Sequence, residues 1–263
     1  MGVGDYLALP RGVAMVISDE RPLISPSSFP YAYGLLHEFP SAVAAHLLRE
    51  AKPVALRKGD VLFRRGDPGD ACFLVRHGLI KSSILSARGE ESIVALHGAG
   101  AIMGEIAMID GLPRVVTAQA LSECRLDAIA RDVFRACMRE QPEMCAALVA
   151  ILAGRLRRAG EDTAWANLLP ARARVARAML HIARVASSDG GSRRRIIAVP
   201  MTRADIAAMA GVSREEASRA LSAWKRAGSL AEKPGAALEV DVAVLQAEAS
   251  DDVTDTHGYR PPD

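Results

Sequence analysis

A chain of 263 residues, 50% hydrophobic, 24% charged and 4% aromatic, has ordinary globular composition and length for one large or two modest domains. That composition excludes a collagen-like repeat, bulk disorder and a disulfide scaffold. The apolar runs, such as Met144 to Leu152, are too short for the roughly 18 to 20 residues that cross a bilayer. The net charge of +2 is unevenly spread: residues 171–235 carry 13 Lys or Arg against 5 Asp or Glu, whereas 236–263 carry 1 against 7.

The opening MGVGDYLALPRGVAMVISDE lacks the basic start, continuous apolar core and small-residue cleavage site of a secretory signal, and Gly2 is not followed by the hydroxyl residue that myristoylation needs. A cytoplasmic location with no membrane partner is therefore expected. Residues 1–30 mix Gly, Pro and Ser without a period, and a mobile arm is expected there. Leu35, Leu36, Val43, Leu47 and Leu48 then recur at helical spacing, predicting one or two short helices.

From Val54 to Ala130 short apolar pieces (VLF, CFLV, LIKSSIL, SIVAL, VVTAQA, CRLDAI) alternate with Gly, Asp and Arg-Gly-Glu turns, which predicts six or more strands in an antiparallel sandwich or roll. A helix begins near Arg131, and Pro142 fits the first turn of another, where its missing N–H is not needed. Met144, Leu148, Ile151, Leu152, Arg155, Leu156 and Ala159 form one stripe along that helix. A stripe of this kind needs a partner: a twin helix in a homodimer, or the chain's own β-domain. Pro170 marks a hinge, and ARARVARAMLHIARVA reads as the next helix.

After the apolar strand RIIAVP, Thr202 with Asp205 caps a short helix burying Ile206, Met209 and Ala210, and Gly211 ends it. Ser213 with Glu216 then forms a Ser-x-x-Glu capping box opening a second helix, whose inward stripe is Ala217, Leu221 and Trp224. Two capped helices joined by a Gly turn in a basic segment predict a helix-turn-helix bound to double-stranded DNA. Arg214, Glu215, Ser218 and Arg219 are left outward near the start of the second helix, where side chains reach base edges. An Arg can donate twice to guanine and a Glu can accept from cytosine. Lys225 and Arg226 suit phosphate contact, and Thr202, Ser213 and Lys225 complete the expected DNA-binding set. SLAEKPGAALEV reads as two strands of a wing around Pro234-Gly235.

Cys72, Cys124, Cys137 and Cys145 show no CxxC spacing, and the six histidines form no HxH or HExxH arrangement. No metal site, haem or iron-sulfur cluster, required cofactor or catalytic residue is expected.

KGDVLFRRGDPGDACFLVRHGLIK, GEIAMIDGLPR and SREEASR together make the chain resemble the CRP/FNR family of bacterial transcription regulators over residues 35–245. The first segment is similar to the start of the family's cyclic-nucleotide-binding β-roll, the second to its phosphate-binding cassette, the third to its recognition-helix start. The resemblance implies an α+β fold: an N-terminal antiparallel β-roll of the double-stranded jelly-roll type, a long dimerisation helix and a C-terminal winged helix-turn-helix. It lays these out as an arm over 1–30, the β-roll with short N-terminal helices over 31–130, dimerisation helix and hinge over 131–170, the winged helix over 171–247, and an acidic disordered tail over 248–263.

Residue by residue, the resemblance gives Gly104 and Glu105 to the nucleotide's phosphate and ribose hydroxyl, and Arg114 to the cyclic phosphate. Arg214, Glu215 and Arg219 match its base-reading positions, implying TGTGA-like half-sites. Cyclic AMP is the first candidate effector, with cyclic GMP and cyclic di-GMP after it, and RNA polymerase is a further candidate partner. Three positions depart from the cyclic-AMP-responsive pattern. Val115 stands where those members have Ser or Thr, and Ala159 and Gly160 replace long-helix hydroxyls that touch the purine. Thr117 shares the strand parity of Val115. A ligand-independent regulator with a non-binding β-roll, a cupin-like metal-binding enzyme and a nucleotide-regulated adaptor are the alternative readings.

Overall fold

Short side-chain hydrogen bonds start the strand pattern: the Asp60 and Asp67 carboxylates accept the backbone N–H of Arg57 and Arg64 at 2.7 and 2.8 Å, closing the Lys-Gly-Asp and Arg-Gly-Asp turns. In the computed structural model, which describes residues 39–186, 193–197, 201–234 and 237–250, eight strands follow from these turns. They are β1 (Lys52–Leu56), β2 (Val61–Phe63), β3 (Ala71–His77), β4 (Ile80–Leu85), β5 (Glu91–His97), β6 (Ile102–Met103), β7 (Thr117–Ala120) and β8 (Cys124–Ala130). They make two antiparallel four-stranded sheets ordered β1-β8-β3-β6 and β2-β7-β4-β5. Alternation along β3 sends Phe73 and Val75 between the sheets, with Phe63, Ile80, Ala118 and Leu126, while Cys72 and Leu74 face the helices outside.

Those helices are α1 (Ser41–Arg49), α3 (Arg131–Glu140) and α4 (Pro142–Leu168); the five-residue α2 (Ile106–Asp110) lies between β6 and β7. Pro142 sits in the first turn of α4, as the sequence predicts. At 27 residues α4 is about 40 Å long. The expected dimer stripe is corrected along its first half. Met144, Leu148 and Ile151 are buried in the subunit's own core with Val43, Leu47, Ile129 and Phe134, because α3 turns the start of α4 back across the outer face of β3 and β8. Leu152 is half-buried, whereas Leu156 and Ala159 are exposed. Val149, 66% exposed, lies one turn from Leu152 on the open side and had no place in the expected stripe.

Leu169 and Pro170 separate α4 from α5 (Ala171–Ala186). Beyond it lie β9 (Arg194–Ile197), α6 (Arg203–Ala210), α7 (Arg214–Arg226), β10 (Leu230–Lys233), β11 (Ala237–Asp241) and α8 (Val242–Ala249). A three-stranded antiparallel sheet ordered β10-β11-β9 forms the wing. The expected start of a disordered tail at residue 248 is also corrected: Glu248 and Ala249 are helical, since Asp241 caps α8 and Glu248 pairs with Arg172 and accepts from Trp224 Nε1 at 3.3 Å. The arm expected at 1–30, Leu35, Leu36, residues 187–192, the end of the expected strand at 198–200, Gly235 of the expected wing turn and the chain beyond Ser250 lie outside the described residues.

Candidate functional site

The segment between β6 and β7 folds around a buried guanidinium. Arg114, 4% exposed, donates from Nη1 to the Gly104 carbonyl at 2.9 Å and from Nη2 to the Ala71 carbonyl at 2.5 Å. Its plane lies 4.3 Å from the Phe63 ring centroid. Gly104 has φ 81°, and a Cβ there would lie 2.5 Å from Arg114 Nη1, so both backbone geometry and space require glycine. The nearest carboxylate, Asp70, stands 3.8 Å away and its side chain is 91% exposed. Burial presses the Arg114 pKa below the ordinary guanidinium value, and Nε finds no hydrogen-bond partner among the described residues. A desolvated cation held by carbonyls and rings, whose one ion-pair contact among the described residues is to an exposed acid, is a cradle suited to an anion.

Gly104, Glu105 and Arg114 do come together, lining one cavity of about 260 Å³ with Ser82, His97 and Ala159. Glu105, 3% exposed, does not pair with Arg114. Its carboxylate is held by Arg155 Nη1 of α4, so Arg155 belongs to this cavity and is corrected from the expected dimer stripe. A charged residue inside an apolar stripe was the signal in the sequence, because buried arginines need partners. Ser82 Oγ and His97 Nε2 lie 2.9 Å apart on the cavity wall, and sequence reasoning had singled out neither. Burial, with the Arg155 charge adding to it, pushes the His97 pKa down to about 3, so the ring is neutral at physiological pH.

The departures noted in the sequence are visible here: Val115 and Ala159 present methyl groups to the cavity. Thr117 Oγ1 accepts the Arg65 N–H at 3.1 Å, and Thr117 is not among the residues that line the cavity. Burial raises the Cys72 thiol to about 12, leaving it protonated and inert. Among the described residues no three His, Cys, Asp or Glu side chains are grouped to hold a metal ion, and no helix is long and apolar enough to cross a membrane.

The second candidate surface is α6, its turn and α7. Both capping boxes form: Asp205 N–H donates to Thr202 Oγ1 at 3.0 Å and Glu216 N–H to Ser213 Oγ at 3.2 Å, with each carboxylate answering the cap's backbone N–H. Gly211, at φ 62°, takes the left-handed turn, and Arg174 Nη1 fixes its carbonyl at 2.9 Å. Ala217, Leu221 and Trp224 are buried, which leaves Arg214, Glu215 and Arg219 exposed and Ser218 half-exposed on the other face. Thr202 and Ser213 are exposed caps, and Lys225 pairs with Glu232 of β10 at 3.0 Å.

Two family models match the chain: a cyclic nucleotide-binding domain over residues 53–141 and a Crp-like helix-turn-helix domain over residues 173–248. A CRP-like cAMP-activated global transcriptional regulator of Mycobacterium tuberculosis is 31% identical over 190 residues, 72% of this chain and 84% of the relative. A cyclic AMP receptor protein of Thermus thermophilus is 30% identical over 217 residues, 82% of this chain and 95% of the relative. Among solved structures, FixK2 of Bradyrhizobium japonicum shares the fold, with a TM-score of 0.66 at 24% identity over 75% of this chain and 96% of that one.

Proposed function

The chain belongs to the CRP/FNR family of transcription regulators, and from that premise we propose that it is a cytoplasmic homodimer whose β-roll cavity takes a cyclic nucleotide, cyclic AMP first, and whose two α7 helices read an operator with TGTGA-like half-sites. The observation that carries the ligand half is the Arg114 cradle, a buried cation in the lining of a cavity that α4 also lines. A cyclic phosphate there meets Arg114 and the Gly104 backbone, while the sugar approaches Glu105. Because Glu105 is held by Arg155, a ligand hydroxyl on that carboxylate pulls directly on the long helix. Coupling follows if the nucleotide binds the DNA-competent arrangement more tightly than the other.

On the DNA side, Arg214, Glu215 and Arg219 reach base edges, with Ser218 beside them. Lys225, Thr202 and Ser213 lie where phosphates pass. Two such helices about 34 Å apart match half-sites one turn apart on a two-fold symmetric operator. RNA polymerase is the further partner this reading gives the protein.

The test is binding of the purified protein to a fluorescent TGTGA palindrome at fixed salt, with and without cyclic AMP, cyclic GMP or cyclic di-GMP, alongside direct nucleotide titration. Cyclic AMP is expected to tighten operator binding, and Arg114→Ala to weaken nucleotide binding roughly 10- to 100-fold, the worth of charge-assisted hydrogen bonds. The methyl groups of Val115 and Ala159 favour a second reading, a regulator of the same family whose β-roll is a scaffold. Tight operator binding indifferent to every nucleotide selects that one.

A further inference from the structure

We propose that the acidic segment after Ser250 docks on the arginine-lined face of α7 and competes there with nucleic-acid phosphate. The reading rests on α7 as the DNA-reading helix. The surface is a shallow groove of about 590 Å³, with Arg172 of α5 on one side and Ser218, Arg219, Ser222 and Arg226 of α7 on the other, and with Glu216, whose carboxylate is engaged by the Ser213 cap, also in its lining. Arg219 and Arg226 are exposed and two turns apart, a spacing that suits a run of anionic groups.

The segment is delivered to this groove. Glu248 in α8 forms an ion pair with Arg172 and accepts from Trp224 Nε1 at 3.3 Å, so the last turn of α8 is fastened to the groove's edge. Only Ala249 and Ser250 separate that anchor from residues 251–263, which hold four Asp, among them Asp251, Asp252 and Asp255, against one Arg. Thirteen residues reach up to about 45 Å extended, against about 20 Å for the whole of α7. Tethering places these carboxylates at an effective concentration in the millimolar range, enough for weak ion pairs to matter at low salt. Glu248 on Arg172 is the first contact of the path, and Asp251, Asp252 and Asp255 continue it toward Arg219 and Arg226.

The test uses the full chain beside a chain ending at Ser250 and a length-preserving variant, Asp251→Asn, Asp252→Asn, Asp255→Asn. Without DNA, amide hydrogen exchange over residues 214–226 is expected to quicken in both altered chains. With a random-sequence 24-base-pair duplex, both are expected to bind roughly 3- to 10-fold more tightly than the full chain at 50 mM salt, the gap closing below about 2-fold at 300 mM. Unchanged exchange at α7 overturns the proposal whatever the DNA result. Quickened exchange with no DNA binding by any chain upholds the docking and instead defeats the reading of α7. Protection that disappears on dilution assigns the groove to a second copy and overturns docking within one chain.

Discussion

His97 on β5 and His181 on α5 are both buried where the two domains meet. Burial pushes the His97 pKa down to about 3, with the Arg155 charge adding to it. Burial, with the Arg184 charge adding to it and His97 nearby, holds His181 well below the ordinary imidazole value. An unfolded imidazole takes up its proton near pH 6.5, whereas these two stay neutral in the folded chain to far lower pH. Between those limits the unfolded state binds more protons, so stability rises with pH and is lost as pH falls below about 6.5. Each histidine contributes a slope of up to about 1.4 kcal/mol per pH unit. The depressed carboxyl of Asp205 adds its own loss only lower, as pH falls below the ordinary carboxylate range of about 4. Urea midpoints are therefore expected to fall steadily from pH 7 to 5, and His97→Gln and His181→Gln each to flatten that slope even where they lower the midpoint at pH 7. A profile level between pH 5 and 7 would show that these rings are protonated in the folded chain.

One helix, α4, divides its labour along its length. Its first half spends Met144, Leu148 and Ile151 inside the subunit, the middle turns Arg155 into the cavity beside Glu105, and the open face leaves Val149 and Leu156 at 66% and 76% exposure. Val149, Leu156 and Thr163 step by seven, with Ala153 and Gly160 between them, a spacing that lets two such helices pack closely. Leu156→Asp is expected to give a monomer in sedimentation and to lose operator affinity, its thermal midpoint falling only by the stabilisation that dimerisation itself supplies, since a side chain exposed on the single subunit costs the fold within about 0.5 kcal/mol. A persistent dimer would move the seam elsewhere.

How much of this was legible in the sequence depended on range. The caps at Thr202 and Ser213 join residues three apart, so periodicity and cap chemistry found α6 and α7 closely. The β-roll was legible because turns such as those at Asp60 and Asp67 close locally. The stripe of α4 announced that a face is buried but not against what, because a 3.6-residue period is the same for either partner. Glu105 and Arg155 lie 50 residues apart with no repeat linking them, so their pairing waited for the fold.

At the scale of the whole molecule, the roll and the winged helix share one hydrophobic cluster: Leu79, Ile93 and Leu96 of the roll pack with Val175, Met179 and Ile182 of α5 and Ile206 and Met209 of α6. Across it runs one polar tie. Buried Lys81 of β4 donates to Glu91 at 2.8 Å and to Asp205 at 3.1 Å, and Asp205 is also the carboxylate that completes the α6 cap. Burial alone would lower the Lys81 pKa, but the two carboxylates outweigh it and hold it raised. Asp205 is lowered despite its own burial by Thr202 and Lys81. Both groups are therefore charged at neutral pH, and the start of the helix-turn-helix is tethered to the β2-β7-β4-β5 sheet of the roll.

A shared core with such a tie predicts one cooperative unfolding transition for the two domains. Lys81→Met removes the cation and leaves Asp205 its cap, so local helix formation survives while the tie is lost. A cost of about 1–3 kcal/mol for the uncompensated carboxylates lowers the thermal midpoint by about 2–4 °C per kcal/mol in a chain of this size. Hydrogen exchange over β5 and α6 should rise together, because both faces of the joint loosen at once. Two resolved transitions in the unaltered protein would mean that the domains meet without sharing stability, and a Lys81→Met chain with unchanged exchange would remove Lys81 from the joint.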